Sequence, residues 1–375
     1  MLPGLRPLEK LISEYDPSAP LAEASTIPAS WYTDPRVAEL ERRSVFGNTW
    51  QMVGRADQVA SPGQYLTASV AGEPVVVVRG DDGVLRAFFN VCRHHAAAVM
   101  TEPCGVAKSL RCPYHGWTYG LDGAFRSAPE MDGTRAFSPE SNGLVPVHVA
   151  TWEKLLFVHL GASPPPLAHD LGELHRRAPS LDLASLHFYQ RKSWTIACNW
   201  KVFVDNYLDG GYHIPFLHHD LASILPFKAY TIETFRRVCL QKSPIDPSGG
   251  DAVTAGVRRG QALYYWVYPN LMLNWYEGYL DTNLVLPLGP DRMVVIFDFY
   301  FADVGPAAAA RNARSMDVSE QIQDEDHAIC ESVQRGLSSR AYGAGRLSPR
   351  REAGEHLFHR LLSADLRRGL DLPSS

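Results

Sequence analysis

Two short stretches, Cys92-Arg93-His94 and Cys112-Pro113-Tyr114-His115-Gly116-Trp117, decide how this chain of 375 residues folds. Each stretch supplies one thiolate and one imidazole, so together they offer two sulfur and two nitrogen ligands. A 2Fe–2S cluster in which histidines replace two cysteines on one iron needs this donor set. The cysteines would bind the inner iron and the histidines the outer one. The predicted cluster ligands are therefore Cys92, His94, Cys112 and His115.

The alternative for these two stretches is a structural zinc site made of two cysteines and two histidines. Zinc fingers usually pair Cys with Cys and His with His, whereas the order here alternates, which favours the iron–sulfur interpretation. Gly116 permits a tight turn and a close backbone approach to the cluster. We expect His95 to point to the other side of a strand-like loop from His94, and to flank the cluster without binding it.

The composition is that of an ordinary globular protein, with 45% hydrophobic and 21% charged residues. A formal net charge of −5 gives no general attraction to nucleic acid or to an anionic membrane. No apolar run approaches the roughly 18 residues that are needed to cross a bilayer, and the first residues lack a signal-peptide core. The six cysteines are scattered, which is not typical of a secreted disulfide scaffold. We therefore expect a cytoplasmic protein with no nucleic-acid or membrane partner.

The rest of the chain divides into a strand-rich part and a mixed part. From about residue 50 to 160 short strands alternate with turns such as Gly80–Gly83, and the run Ser163–Pro166 marks a border. We therefore predict an α+β fold in which an all-β domain (47–161) lies between an N-terminal arm (1–46) and a larger domain (162–375). The longer elements predicted in the larger domain are Asn199–Tyr212, Tyr264–Leu273, Tyr279–Leu288, Val294–Phe301 and Pro306–Gly336.

A second candidate site lies on the helix predicted after residue 199. Asp205, Asp209 and His213 recur every four residues and therefore share one face of a helix. A carboxylate one turn before a metal-binding histidine can accept its second ring N–H and fix its orientation. Pro215 should end the helix, so that His218 can turn back toward a metal ion bound by His213.

Two histidines and one carboxylate that leave coordination positions open form the facial triad of non-haem Fe(II) oxygenases. The pair His213 and His218 is a weak signal alone and gains its weight from the cluster motif in the same chain. The carboxylate must come from elsewhere, and Glu325 and Asp326 both lie at an edge of an apolar stripe on the last predicted helix. Periodicity does not choose between them. The stripe consists of Val318, Ile322, Ile329 and Val333.

The two motifs together make the chain resemble the Rieske non-haem iron oxygenase α subunits over nearly its whole length, and among them the choline monooxygenases. Besides the cluster motif, the resemblance is carried by residues 198–223, 281–289 and 319–337. It implies a Rieske 2Fe–2S domain inserted into a helix-grip (START-like) catalytic domain, in which a curved antiparallel sheet wraps on helices. It also implies that the mononuclear iron is bound by His213, His218 and Asp326.

The resemblance further implies a homotrimer in which the cluster of one subunit faces the mononuclear iron of its neighbour, with an acidic residue bridging the two sites. In many members this acid stands three residues before the first iron-binding histidine, where this sequence has Gly210. We therefore predict Asp209 as the bridge and Asp205 as the fallback. Electrons would come from NAD(P)H through a separate flavin and iron–sulfur reductase, because the chain has no G-x-G-x-x-G motif after a strand.

The implied reaction is a monooxygenation with O2 of a small quaternary ammonium compound, such as choline (to betaine aldehyde hydrate) or a related betaine. A cation without N–H donors is held best by aromatic faces, and aromatic residues crowd the strands predicted between 264 and 279. We expect Trp275 and Tyr276, beside a turn at Glu277-Gly278, to bind the substrate. One alternative is an oxygenase for an aromatic or other apolar ring, and another is an electron carrier without oxygenase activity.

Overall fold

The computed structural model describes residues 7–246, 248 and 257–371. The chain forms two compact units, one made of the residues up to 45 together with those from 168 onward, and the other of residues 46–167. The smaller unit therefore interrupts the sequence of the larger one. The domain limits predicted above, 1–46, 47–161 and 162–375, stay a prediction.

The smaller unit is built from short strands and single helical turns. Its strands are β1 (Gln51–Arg55), β2 (Gln64–Val70), β3 (Glu73–Arg79), β4 (Leu85–Phe89), β5 (Cys104–Val106), β6 (Leu110–Arg111), β7 (Thr118–Tyr119), β8 (Phe125–Ser127), β9 (Pro146–Trp152) and β10 (Leu155–His159). Seven of them form an antiparallel sheet in the order β1-β10-β9-β4-β3-β2-β5, and β6, β7 and β8 form a second sheet of three strands. This unit is all-β, as the sequence predicts.

Strand β3 explains why this unit has two apolar cores. Its four consecutive valines, Val75–Val78, are all buried. Successive side chains of a strand point to opposite faces, so Val75 and Val77 pack into one core and Val76 and Val78 into the other. The second of these cores also contains Cys92 and Cys112. The apolar run therefore provides a rigid base for the two cysteine loops.

The larger unit combines helices with a second sheet. Its helices are α1 (Leu8–Ser13), α2 (Ala29–Thr33), α3 (Pro35–Ser44), α4 (Leu167–Leu181), α5 (Trp200–Leu208), α6 (Ile214–Leu217), α7 (His219–Ile224), α8 (Ala309–Leu337) and α9 (Ala353–Leu370). Its strands are β11 (His187–Ile196), β12 (Thr231–Thr234), β13 (Val238–Pro244), β14 (Gln261–Val267), β15 (Leu271–Tyr276), β16 (Tyr279–Gly289) and β17 (Arg292–Phe301). They form an antiparallel sheet in the order β11-β17-β16-β15-β14-β13-β12, against which the helices pack. None of the helices in the described part of the chain is long and apolar enough to cross a membrane.

Two predicted elements differ from the structure. The single strand predicted for Tyr264–Leu273 is wrong, because a turn at residues 268–270 separates β14 from β15. Pro269 cannot donate a backbone hydrogen bond, which disfavours a continuous central strand. The helix predicted for Asn199–Tyr212 ends at Leu208, before two glycines.

The apolar stripe predicted on α8 is confirmed only in its first half, since Val318 is buried and Ile322 is partly buried. Ile329 and Val333 are 38% and 44% exposed in this chain. Besides Val318, the buried face is made mostly of small and polar residues that recur at helical spacing. These residues are Met316, Ser319, Gln323, Cys330, Gln334 and Leu337. Asp326 continues their spacing, so α8 turns a carboxylate and several polar side chains toward the sheet.

An ion pair inside the larger unit attaches α5 to α3. The ammonium of Lys201, at the start of α5, lies 2.6 Å from a carboxylate oxygen of Glu41 on α3, and both side chains are buried. The indole N–H of Trp200 donates to the other oxygen of Glu41 over 2.8 Å. Burial lowers the pKa of Lys201, and the carboxylate of Glu41 opposes that shift. The pair holds the helix that leads into the histidine-rich segment.

We predict that Glu41→Gln destabilises the larger unit by about 3–5 kcal/mol, because it leaves the Lys201 ammonium buried without its counter-charge. Urea denaturation followed by tryptophan fluorescence measures this. Glu39→Gln is the matched control, since Glu39 pairs with Arg42 at the exposed surface and should change the stability by about 0.5 kcal/mol at most. If both variants unfold at the wild-type urea concentration, the ion pair does not hold α5 in place.

Candidate metal centres and the adjoining cavity

Two loops of the smaller unit, 92–97 and 112–117, have the same backbone geometry. In each loop the first N–H donates to the last carbonyl over 2.8 Å, and the fifth N–H donates back to the first carbonyl over 3.0 or 3.1 Å. The fifth residue, Ala96 or Gly116, has a left-handed φ of 60° or 72°. Equivalent loops of this kind present their cysteine and histidine in the same way.

The side chains of these loops fit an iron–sulfur cluster. The thiols of Cys92 and Cys112 are buried and adjacent, and burial raises the pKa of the Cys112 thiol. The imidazoles lie further out, with ring centroids of His94 and His115 4.8 Å apart. Nδ1 of His94 is buried without a hydrogen-bond partner among the residues that the structure describes. Two buried sulfur donors and two outer nitrogen donors match a 2Fe–2S cluster with two histidines on its outer iron.

The placement expected for His95 is wrong. Its ring centroid lies 3.9 Å from that of His94 and 5.4 Å from that of His115, on the same side of the loop. Residues 93–95 form a turn, and the alternation of side chains holds only for extended strands. His95 therefore stands beside the two predicted histidine ligands at the outer edge of this centre.

The second centre begins where α5 ends. Gly210 and Gly211 both have φ near +69°, and a Cβ on Gly210 would lie 2.1 Å from the carbonyl oxygen of Arg351. After this reversal, Asp209 accepts from the backbone N–H of His213 over 2.9 Å and lies 2.6 Å from Nδ1 of its ring. The other ring nitrogen of His213, Nε2, is therefore left for a metal ion.

His218 is held between two carboxylates. Its Nδ1 lies 2.6 Å from Glu325, and its Nε2 lies 3.1 Å from Asp326, which also accepts from Asn206 over 2.8 Å. Burial works against protonation of His218, but the two carboxylates outweigh it and raise its pKa. Donor atoms of His213, His218 and Asp326 lie within 4.8 Å of one another, as a shared metal ion would require.

Asp205, the fallback for the bridge, lies in a different cluster. Its carboxylate accepts from the hydroxyl of Tyr32 over 2.5 Å and contacts Nε2 of His359 at 3.0 Å. Burial, followed by the charge of Asp205, raises the pKa of the neighbouring Glu355. Asp205 is one helical turn from Asp209, but its two oxygens contact Tyr32 of α2 and His359 of α9.

A cavity adjoins the histidines in the larger unit, and Tyr276 is one of its lining residues. Trp275 requires a correction: its indole donates to the carbonyl of Leu181 over 2.8 Å. Asn274 and Tyr276 line the cavity, and alternate residues of a strand face opposite sides, so Trp275 points to the other face of the sheet. The remaining tyrosines of the cavity wall are Tyr207, Tyr230 and Tyr264.

Three polar residues of the cavity wall, Asp281, Arg258 and Gln323, were missed by the sequence analysis. Asp281 is buried on β16, and burial raises its pKa against the hydrogen bonds that it accepts. The sequence contains a pattern that could have indicated Asp281. Tyr279, Asp281 and Asn283 are alternate residues of one strand, so their three polar groups lie on the same face. The sequence before Arg258 has no periodic pattern, so nothing in it pointed to this residue.

Known proteins resemble this chain over almost all of its length. The family model of the ring-hydroxylating α subunit (catalytic domain) matches residues 183–366, and that of the Rieske [2Fe-2S] domain matches residues 49–141. The chain is 38% identical to choline monooxygenase, chloroplastic, of Arabidopsis thaliana, over 96% of this chain and 87% of the relative. It is 30% identical to the carnitine monooxygenase oxygenase subunit of Acinetobacter pittii, over 86% of this chain and 88% of the relative.

Solved structures show the same likeness. The quaternary ammonium Rieske monooxygenase CntA in complex with L-carnitine superposes with a TM-score of 0.79 and 27% identity, over 96% of this chain and 99% of that one. Both domain types and the full-length relatives agree with the two metal centres. The chain therefore belongs to the Rieske non-haem iron oxygenase α subunits, which carry a Rieske 2Fe–2S cluster and a mononuclear iron.

Proposed function

We propose that this chain is the oxygenase component of a monooxygenase that hydroxylates a quaternary ammonium compound, either choline or a betaine. The observation that supports this proposal most is the cavity beside His213 and His218, whose wall combines four tyrosines with the buried carboxylate of Asp281. Aromatic faces attract a cation by about 0.5–2 kcal/mol each, and a nearby carboxylate compensates its charge. The relatives named for choline and carnitine point to the same substrate class.

The ligand assignment is part of this proposal. Cys92, His94, Cys112 and His115 would hold the cluster. His213, His218 and Asp326 would hold the mononuclear iron, which when bound activates O2 with electrons delivered singly. Asp209 and Glu325 would accept hydrogen bonds from the Nδ1–H groups of the two imidazoles, so that each ring offers Nε2 to the metal. Asn206 orients the remaining carboxylate.

Electron supply and assembly are also proposed. A separate flavin and iron–sulfur reductase would pass electrons from NAD(P)H to the cluster of one subunit in a homotrimer. The acidic side chain of Asp209 would then connect His213 to the cluster of the neighbouring subunit. A solved structure of a quaternary ammonium Rieske monooxygenase, described in terms of electron transfer between its subunits, supports this arrangement. The cytoplasmic location stays a prediction, and the plant relatives are named as chloroplastic.

The rival substrates are less compatible with the cavity. An aromatic or other apolar ring has no acceptor for the Nε–H of Arg258 or the amide of Gln323, which are buried in this cavity wall without hydrogen-bond partners among the described residues, and this is costly. The other alternative, an electron carrier without oxygenase activity, does not account for the match of residues 183–366 to a catalytic domain.

With a reductase, NADH and O2, we expect O2 uptake with choline or a betaine and none above background with an aromatic acid. An oxygen electrode measures this. Asp326→Ala is the inactive control: it should abolish turnover and lower the iron content from about three to about two per chain, with the Rieske visible and EPR spectra unchanged. Turnover of aromatic acids but of no quaternary amine would contradict the proposed substrate class.

Asp209→Asn should slow the transfer of electrons from the cluster to the mononuclear site by about 10–100-fold, because His213 loses a charged hydrogen-bond partner. Single-turnover oxidation of the reduced cluster measures the rate, with both metals assayed first. Asp205→Asn is the control and should leave the rate unchanged, since its oxygens face Tyr32 and His359. A slow Asp205 variant beside a normal Asp209 variant would move the bridge to Asp205.

The affinity of the mononuclear site for Fe(II) should fall as the pH falls, because metal binding needs the neutral imidazole of His218. Its pKa without metal is raised above the ordinary 6.5, so protons begin to compete above that pH. The EPR signal of the nitric oxide adduct reports the bound mononuclear iron. Glu325→Gln removes one of the charges that raise this pKa and should move the loss of iron to lower pH. Identical pH profiles would show that Glu325 does not act on His218.

A further inference from the structure

The cavity contains two charges of opposite sign in addition to the proposed iron ligands. Asp281 accepts hydrogen bonds from Tyr279 over 2.7 Å, Asn274 over 2.7 Å and Asn283 over 2.8 Å. These three donors stabilise the charged form of the carboxylate and oppose the rise in its pKa that burial causes. The carboxylate lines the same cavity as four tyrosines. The opposite charge is the guanidinium of Arg258.

Arg258 is only 2% exposed and is fixed from two sides. Its Nη atoms donate to Ser315 and Ser319 of α8, with 2.8 Å to the hydroxyl of Ser319. Its guanidinium carbon lies 4.8 Å from the ring centroid of Tyr276 and 4.3 Å from that of Tyr279. A buried, stacked and hydrogen-bonded guanidinium is held in one orientation, which suits the recognition of a specific group.

Two donors in this cavity wall are left without acceptors. Within the described ranges, neither the Nε–H of Arg258 nor the Nε2 amide of Gln323 has a hydrogen-bond partner. Gln323 is 1% exposed and lies one helical turn beyond Ser319. Because Arg258 donates to Ser319, both unpartnered donors lie on the same side of α8. Buried donors without partners are costly, and an acceptor group on a bound ligand would satisfy them.

The spacing along α8 separates these donors from the metal. Arg258 is attached at Ser319, and Asp326 follows seven residues later, about 10 Å further along the helix axis. A ligand whose acceptor group is bound at Arg258 can therefore extend toward the iron ligands with its other end. That end would carry the methyl groups.

We propose that the substrate is a betaine, a quaternary ammonium compound that also carries a carboxylate, and that choline is not the preferred substrate. Arg258 and Gln323 bind the carboxylate, and Asp281 with the tyrosines binds the ammonium. Arg258 and Asp281 together have no net charge, which matches a zwitterion, whereas choline would add a second cation and leave Arg258 without an anion. This inference rests on the proposed function and specifies its substrate class.

Four ligands of similar shape test the contribution of the carboxylate and that of the ammonium independently. Glycine betaine carries both, 3,3-dimethylbutanoate only the anion, choline only the cation and 3,3-dimethylbutan-1-ol neither. Their affinities for the anaerobic holoenzyme are measured by calorimetry, which needs no turnover. We expect glycine betaine to bind best, by about tenfold or more over choline.

Two variants assign the subsites. Arg258→Gln should weaken the binding of glycine betaine and 3,3-dimethylbutanoate by about 10–100-fold and should not weaken the binding of choline. Asp281→Asn should weaken glycine betaine and choline but not 3,3-dimethylbutanoate. Arg258→Lys keeps the charge and loses the Nε donor, so it should fall between wild type and Arg258→Gln. An unchanged melting temperature and Rieske EPR spectrum show that a variant is folded.

Three results would overturn the inference. If Arg258→Gln weakens choline and glycine betaine equally, Arg258 supports the fold and does not select a carboxylate. If wild type binds choline better than glycine betaine and L-carnitine, the substrate is not a betaine, although the proposed function stands. If no quaternary ligand binds and an aromatic acid does, both proposals are wrong.

Discussion

The proposed iron centre of this protein depends on the abrupt end of helix α5. Two left-handed glycines follow Asp209, and the first passes so close to the backbone at Arg351 that a side chain would not fit. The reversal brings His213 back against Asp209, and the single helical turn α6 then places the ring centroid of His218 4.9 Å from that of His213.

Around these two histidines the larger unit gathers three carboxylates, Asp209, Glu325 and Asp326. Without a cation their charges repel one another, and His218 partly compensates by a raised pKa. A divalent metal ion held by His213, His218 and Asp326 would remove this repulsion and would replace the proton on His218. At the proposed site, a preference for a metal ion would therefore come from the neighbouring charges as well as from the ligand atoms.

Local sequence rules predicted the parts of the site that are local. The two Cys and His pairs, the all-β unit and the His213 segment follow from short-range spacing. Glu325 and Asp326 could not be separated by periodicity, because they contact different nitrogens of the same His218. Trp275 was misplaced because the strand register was unknown, and Arg258 could not be found because its partners lie more than fifty residues away.

The polar face of α8 sets the distance between the donors that would bind the substrate and the proposed iron ligand. Ser319, Gln323 and Asp326 line one cavity at successive turns of α8. The position of a side chain along the helix therefore sets its distance from the proposed iron site. Each turn corresponds to about 5.4 Å, more than the length of two or three carbon–carbon bonds. Relocating a donor by one turn would therefore change the chain length that fits between anchor and iron. Descendants of one ancestral cavity could thus diverge in the length of their substrates while the metal centre stays the same.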